Sequence, residues 1–143
     1  MNLLKIAKPA VTIGSDATVM DAIGAMKEAT VGAVLVVDEG ELKGVFTERD
    51  LMLRVVLERK DLAVVPVGDV MTSPVLTILK ETRPDDALKM MWNRHIRHLP
   101  VVDSEGRVEA MVSIRHLLHD KVEHLTQELD SLEAFLTADG IGG

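Results

Sequence analysis

The chain has 143 residues, 47% of them hydrophobic but only 2% aromatic, so Val, Leu, Ile, Met and Ala must build the core of one compact domain or two very small ones. Its 16 basic and 23 acidic residues leave a formal charge of −7, which argues against general affinity for nucleic acid, where cationic contacts to phosphate dominate. No cysteine is present, which excludes a disulfide framework, a thiol nucleophile and thiolate metal sites.

The opening stretch MNLLKIAKPAVTIG is broken by Lys5, Lys8 and Pro9 before a signal-peptide core could form. No run of about 18 apolar residues follows anywhere, so no membrane span and a cytoplasmic setting are expected. Val11 to Ile13 is a short β-rich run. Thr18 with Asp21 has the form of a capping box, after which Ala22, Ile23 and Met26 recur at helical spacing. Ala33 to Val37 is a continuous β-rich run suited to a strand covered on both faces, and Asp38 to Glu41 turns the chain into a hairpin. The next stretch, GVFTERDL, ends in Thr47 and, three residues on, Asp50. That spacing is again a helix cap, yet free amides at a helix start also receive phosphate, and one copy does not decide between the two.

Residues 61–67 read as a linker, with Pro66 and Gly68 favouring a turn. Beyond it come a β-rich run at Val75 to Ile78, a second cap at Thr82 with Asp85, and Pro84 placed early in its helix. Ala87, Leu88 and Met91 share a helical face, Leu99 to Val102 forms the next strand, and Asp103 to Gly106 the next tip. Finally Leu118, Val122, Leu125, Leu129, Leu132 and Leu136 follow the alternating four-and-three spacing of a coiled-coil seam, with Glu123, Glu128 and Glu133 outside it. Such a helix either folds back on its own body or supplies a homodimer contact. The tail from Thr137, TADGIGG, should fray.

The chain repeats itself. Asp21-Ala22-Ile23 matches Asp86-Ala87-Leu88, and Val36-Val37-Asp38 matches Val101-Val102-Asp103, at a constant offset of 65 residues. After the hairpin tip the offset becomes 66, so that Thr47 falls on Ser113 and Asp50 on His116. Each unit therefore reads as strand, helix, strand, strand, helix, and two such small units are expected to share a core.

In this order and duplication, GVFTERDL, DVMTSPVLTI and RHLPVVDSEGRV strongly resemble tandem cystathionine-β-synthase (CBS) domains, the pair called a Bateman module, over roughly residues 3 to 120. The resemblance implies an α/β (α+β) fold of two βαββα repeats packed sheet to sheet about a pseudo-two-fold axis, plus a long C-terminal helix. It places the first CBS domain at 3–60, the second at 68–120 and the helix with its tail at 121–143. It also implies a non-enzymatic regulatory module that binds AMP, ADP, ATP, S-adenosylmethionine or a dinucleotide and needs no other cofactor. Its partners would be that ligand, a second copy of the chain, and an effector protein that reads the ligand state.

By the family pattern, Asp50 would accept the ribose hydroxyls, a match for an acceptor-only carboxylate. Gly32 and Ala33 would line the same cleft, with Met71, Thr72, Leu76, Ile96 and Arg97 crossing from the other unit. Thr47 would face phosphate, with Arg97 or Arg49 supplying charge. A weaker mirror site would use Ile6, Val11, Val31, His98, Ser113 and His116, together with Gly32 and Arg97. There the chain departs from the family, because an imidazole cannot offer the paired acceptance of a carboxylate. The rival reading is a structural or protein-interaction module that has lost its ligand. Five histidines raise the question of a metal, but no third ligand completes His95/His98 or His116/His119, and solvated or hydrogen-bonded side chains account for them better. No nucleophile elbow or glycine-rich phosphate loop occurs.

Overall fold

The computed structural model describes residues 2–138. In chain order they form β1 (Thr12–Ile13), α1 (Val19–Ala29), β2 (Ala33–Asp38), β3 (Glu41–Thr47), the short α2 (Glu48–Asp50), α3 (Pro84–Arg94), β4 (His98–Val102), β5 (Val108–Ser113) and α4 (Ile114–Ala138). Helix α2 runs directly into a wider π-helical segment, Leu51–Val56, with bonds such as Leu57 N–H to Met52 O at 3.0 Å.

The first sheet has the order β1-β2-β3, β1 parallel and β3 antiparallel to β2; the second pairs β4 with β5 antiparallel. Both hairpins carry a register shift at equivalent points, Val36/Val37 and Val101/Val102. Val34 and Val36 point into the first unit's core with Val19, Ala22, Met26 and Phe46, whereas Ala33 and Leu35 join Met111 of the second unit. Strand alternation thus gives β2 one face for its own helices and one for the other repeat, which is the sheet-to-sheet packing expected.

Three local expectations need adjustment. The run Val75–Ile78 forms no strand; only Ile78 bridges to Val101, donating to Pro100 O at 3.0 Å and accepting from Val102 N–H at 2.8 Å. In the first repeat Leu35 N–H donates to Val11 O at 2.9 Å. The equivalent of Leu35 is Pro100, which has no N–H, so Leu76 loses that bond and the ladder stops. The cap at Thr82 is also absent. Pro84 occupies the first turn and Arg83 is the N-cap, with no side-chain bond, while Asp85 lies 3.2 Å from Lys121 Nζ. Thr18 and Asp21, by contrast, form both bonds of a capping box. Helix α4 continues through Thr137 and Ala138; the rest of the tail expected to fray lies outside the described residues.

The repeats also exchange arms. Leu3 is fully buried among Ile78, Ala87, Met91, Leu99 and Leu117 of the second unit. Its N–H donates to Lys80 O at 2.9 Å, and Lys8 bridges to Met111. In return Val65, Val67 and Val70 pack in the first unit's core, and Thr72 bridges to Val45 of β3. Among the described residues no helix is long and apolar enough to cross a membrane.

Candidate ligand cleft

The stretch after α1 ends in a left-handed residue, Thr30 at φ 55°, as α3 ends in His95 at φ 54°. These two turns aim Val31-Gly32-Ala33 and Ile96-Arg97-His98 into equivalent strand starts. Ala33 then faces Thr47 across the hairpin, and His98 faces Ser113. Both strand-to-helix corners are closed alike: Glu48 N–H donates to Gly32 O at 3.1 Å, and Ile114 N–H to Arg97 O at 2.8 Å.

At the first corner Asp50 is the one charged side chain buried among the described residues, at 6% exposure. Its Oδ2 accepts from Thr47 N–H at 3.0 Å and from Thr47 Oγ1 at 3.1 Å, and the Thr47 hydroxyl accepts from Asp50 N–H at 3.2 Å. Oδ1 accepts from Thr72 Oγ1 at 2.8 Å and lies 3.6 Å from Arg54 Nε. Arg54 is held in turn by Met71 O at 2.9 Å. The carboxylate is therefore a helix cap and also the meeting point of the inter-repeat arm with the first unit. A shielded acid surrounded by exchangeable donors is equipped to accept a pair of hydroxyls.

The arm is pressed close at Gly44. A Cβ there would collide with Met71 Sδ and sit 2.9 Å from Thr72 O. Gly32 is likewise closed over by its neighbours: a Cβ would meet Glu48 Oε1 at 2.5 Å and His98 Cε1 at 3.5 Å. Burial holds the His98 pKa below its ordinary value; Glu48 pulls it up, and Arg97 and His116 push it down.

The second corner repeats the backbone and changes the chemistry. Ser113 Oγ accepts from His116 N–H at 3.2 Å, as Thr47 does for Asp50. Lys8 stands where Thr72 stands in the first site, since Lys8 bridges Met111 as Thr72 bridges Val45. Burial lowers the His116 pKa, and the charges of Lys8 and Arg115 lower it further. Its Nδ1 is shielded without a hydrogen-bond partner among the described residues.

Of the residues expected in the first cleft, Gly32, Ala33, Thr47, Asp50, Met71 and Thr72 gather at this corner and its arm. Leu76 and Ile96 are half-buried and pack against the second unit's core. Arg97 and Arg49 are exposed. Of the mirror set, Ser113 and His116 lie together, His98 sits against Gly32 at the junction of the two corners, Ile6 joins the second core, and Val11 and Val31 join the first. Three neighbours escape a reading of the sequence. Arg54 had a signal, one helical turn beyond Asp50; Glu48 and Lys8 had none. An open depression of about 300 Å³ beyond Met71, lined also by Ser15, Asp38, Lys43 and Asp69, shares only Met71 with the expected set.

The family model of the CBS domain matches this chain twice, over residues 4–57 and 67–123. The chain is 35% identical over 127 residues to the CBS domain-containing protein CBSX3, mitochondrial, of Arabidopsis thaliana, covering 85% of this chain and 61% of that protein. It therefore spans about three-fifths of that relative's length. Among solved structures, a putative signal-transduction protein with CBS domains from Burkholderia ambifaria superposes with a TM-score of 0.80 at 32% identity, covering 86% of this chain and 95% of that one. The CBS domain protein PAE2072 from Pyrobaculum aerophilum, complexed with AMP, superposes with a TM-score of 0.73 at 28% identity, covering 81% and 89%.

Proposed function

The chain belongs to the CBS-domain family, and on that premise we propose that it is a homodimeric, non-catalytic cytoplasmic module that senses an adenosine-containing ligand. The observation that carries this reading is the buried Asp50 carboxylate at the corner where the inter-repeat arm crosses. The AMP bound to the Pyrobaculum protein supports the ligand class. Ribose hydroxyls arriving at Asp50 take the place of the Thr72 hydroxyl, which frees the arm at Met71-Thr72. A ligand shifts a conformational equilibrium only by its difference in affinity for the two states, and release of this arm supplies such a difference. An effector protein then reads the new position of the arm.

A second reading also rests on an observation. Asp50 is already satisfied by Thr47, Thr72 and Arg54, which suits a purely structural module. Thermal melting with AMP, ADP, ATP, S-adenosylmethionine and a dinucleotide separates the two. A ligand that binds only the folded state at about 100 times its Kd adds about 2.7 kcal/mol, so at least one compound raises the melting temperature. Calorimetric titration then gives one strong site per chain, and a second in His116→Asp, which restores the missing carboxylate. Unchanged melting with every compound would hand the function to the structural reading.

A further inference from the structure

Helix α4 leaves the body with an apolar face that no described residue of its own chain covers. Leu117 is fully buried and Lys121 reaches Asp85, but Leu118, Val122, Leu125, Leu129, Leu132 and Leu136 are 49%, 60%, 47%, 62%, 53% and 40% exposed. This rules out the fold-back expected as one alternative, since every described residue from 121 to 137 is exposed. From Leu118 to Leu136 the seam is about 27 Å long at about 1.5 Å per residue.

Resting on the homodimer reading above, we propose that the occupant of this face is the same helix of a second copy, running antiparallel with Gln127 at the two-fold axis. The seam is self-complementary in that register. Leu118 faces the partner's Leu136, Val122 the partner's Leu132, and Leu125 the partner's Leu129, so that each residue number and its opposite sum to 254. A two-fold interface requires this reciprocity, and each layer pairs an a position with a d position of the heptad.

The flanks choose the direction. In a parallel pair the positions beside the seam set Glu128 against the partner's Glu133 on both sides, a like-charge contact made twice. In the antiparallel pair Glu133 lies beside the partner's His119, which faces Glu123 of its own helix at 3.1 Å. The aliphatic stem of Lys121, its ammonium held by Asp85, lies along the partner's Phe135, itself 60% exposed. The Glu128 side chains then approach each other once, at the axis. The two bodies sit at opposite ends of the rod.

The chain has no cysteine, so introduced thiols report without ambiguity. A disulfide needs Cα atoms within about 7 Å. In the antiparallel pair, equal positions at the helix ends are about 27 Å apart. Leu118→Cys alone and Leu136→Cys alone therefore stay uncross-linked under mild oxidation. A refolded equimolar mixture of the two gives a covalent dimer whose peptide map joins position 118 to position 136. Leu125→Glu/Leu129→Glu sediments as a folded monomer, with helical circular dichroism retained. Self-coupling of Leu118→Cys would overturn the direction. A wild-type dimer with no coupling in the mixture would overturn the surface, and a wild-type monomer would remove the homodimer reading beneath it.

Discussion

Replacing Asp50 by Ala removes two roles at once, and the structure lets each be weighed. Loss of the cap formed with Thr47 costs about 1 kcal/mol. Loss of the carboxylate acceptor for Thr72 Oγ1 at 2.8 Å costs about 1.5–3 kcal/mol, the range for a hydrogen bond to a charged group. The Arg54 contact, 3.6 Å long with the arginine half exposed, adds at most about 0.5 kcal/mol. Relief from burying a charge offsets part of this, so urea unfolding followed by circular dichroism should show a net loss of about 2–3 kcal/mol. A domain with about 5–15 kcal/mol of stability remains folded after such a loss, which allows affinity to be measured on the same variant. Calorimetric titration with the adenosine compound that gives the largest melting shift should show binding weaker by about 1.5–3 kcal/mol, or about 10- to 150-fold. Thr72→Val is the partner experiment, because it loses stability but leaves the ribose acceptor in place. A stability loss of only about 1 kcal/mol with unchanged affinity in Asp50→Ala would reduce the residue to a cap and refute the ribose assignment.

Two further outcomes follow from the packing around the corners. His98 and His116 both have folded-state pKa values pushed down by burial, so the unfolded chain takes up protons first as pH falls. The stability they contribute is present above their ordinary pKa of about 6.5 and is lost below it. The urea midpoint should drop between pH 7 and pH 5.5, and His98→Gln should flatten that slope; an unchanged slope would remove His98 as its source. Gly44→Ala drives a Cβ into Met71 and to 2.9 Å from the Thr72 carbonyl, which accepts from Val45 N–H. It should cost about 1–3 kcal/mol by overpacking, whereas Gly24→Ala, with nothing within 4 Å, should gain about 0.5–1 kcal/mol from helix propensity. Equal denaturation midpoints for the two variants would contradict the close approach of the arm.

The duplication was readable because strand and helix periods recur at one offset, and the strands, the Thr18 and Thr47 caps and the hairpin tips all follow from local chemistry. Where local chemistry depends on a distant strand, reading the chain fails. Val75–Ile78 has the composition of a strand, but the missing N–H is on Pro100. Thr82 resembles a cap only until Pro84 moves the N-cap to Arg83, the residue that the repeat offset places opposite Thr18. Asp50, Thr47 and Thr72 were legible as one cluster through the family pattern. Leu76 and Ile96 were assigned beside it and are half-buried against the second core; facing a cleft and packing on a core look alike in an apolar residue. Lys8 lies 108 residues from His116 in the chain, and only the arm exchange brings its charge to bear.

That exchange has a consequence for how the protein is made. Leu3 is synthesised before Leu117, which belongs to its nest, and the two lie 114 positions apart. At about 5–20 residues per second, the arm waits about 6–23 s for its last docking partner. The first repeat completes its core with Val65, Val67 and Val70 of the segment that follows it, and the second completes its own only when Leu3 docks on it. Contacts of such long sequence separation slow folding. They also make completion of the second repeat conditional on an intact Leu3 arm, so damage there is felt only once Leu117 has been synthesised.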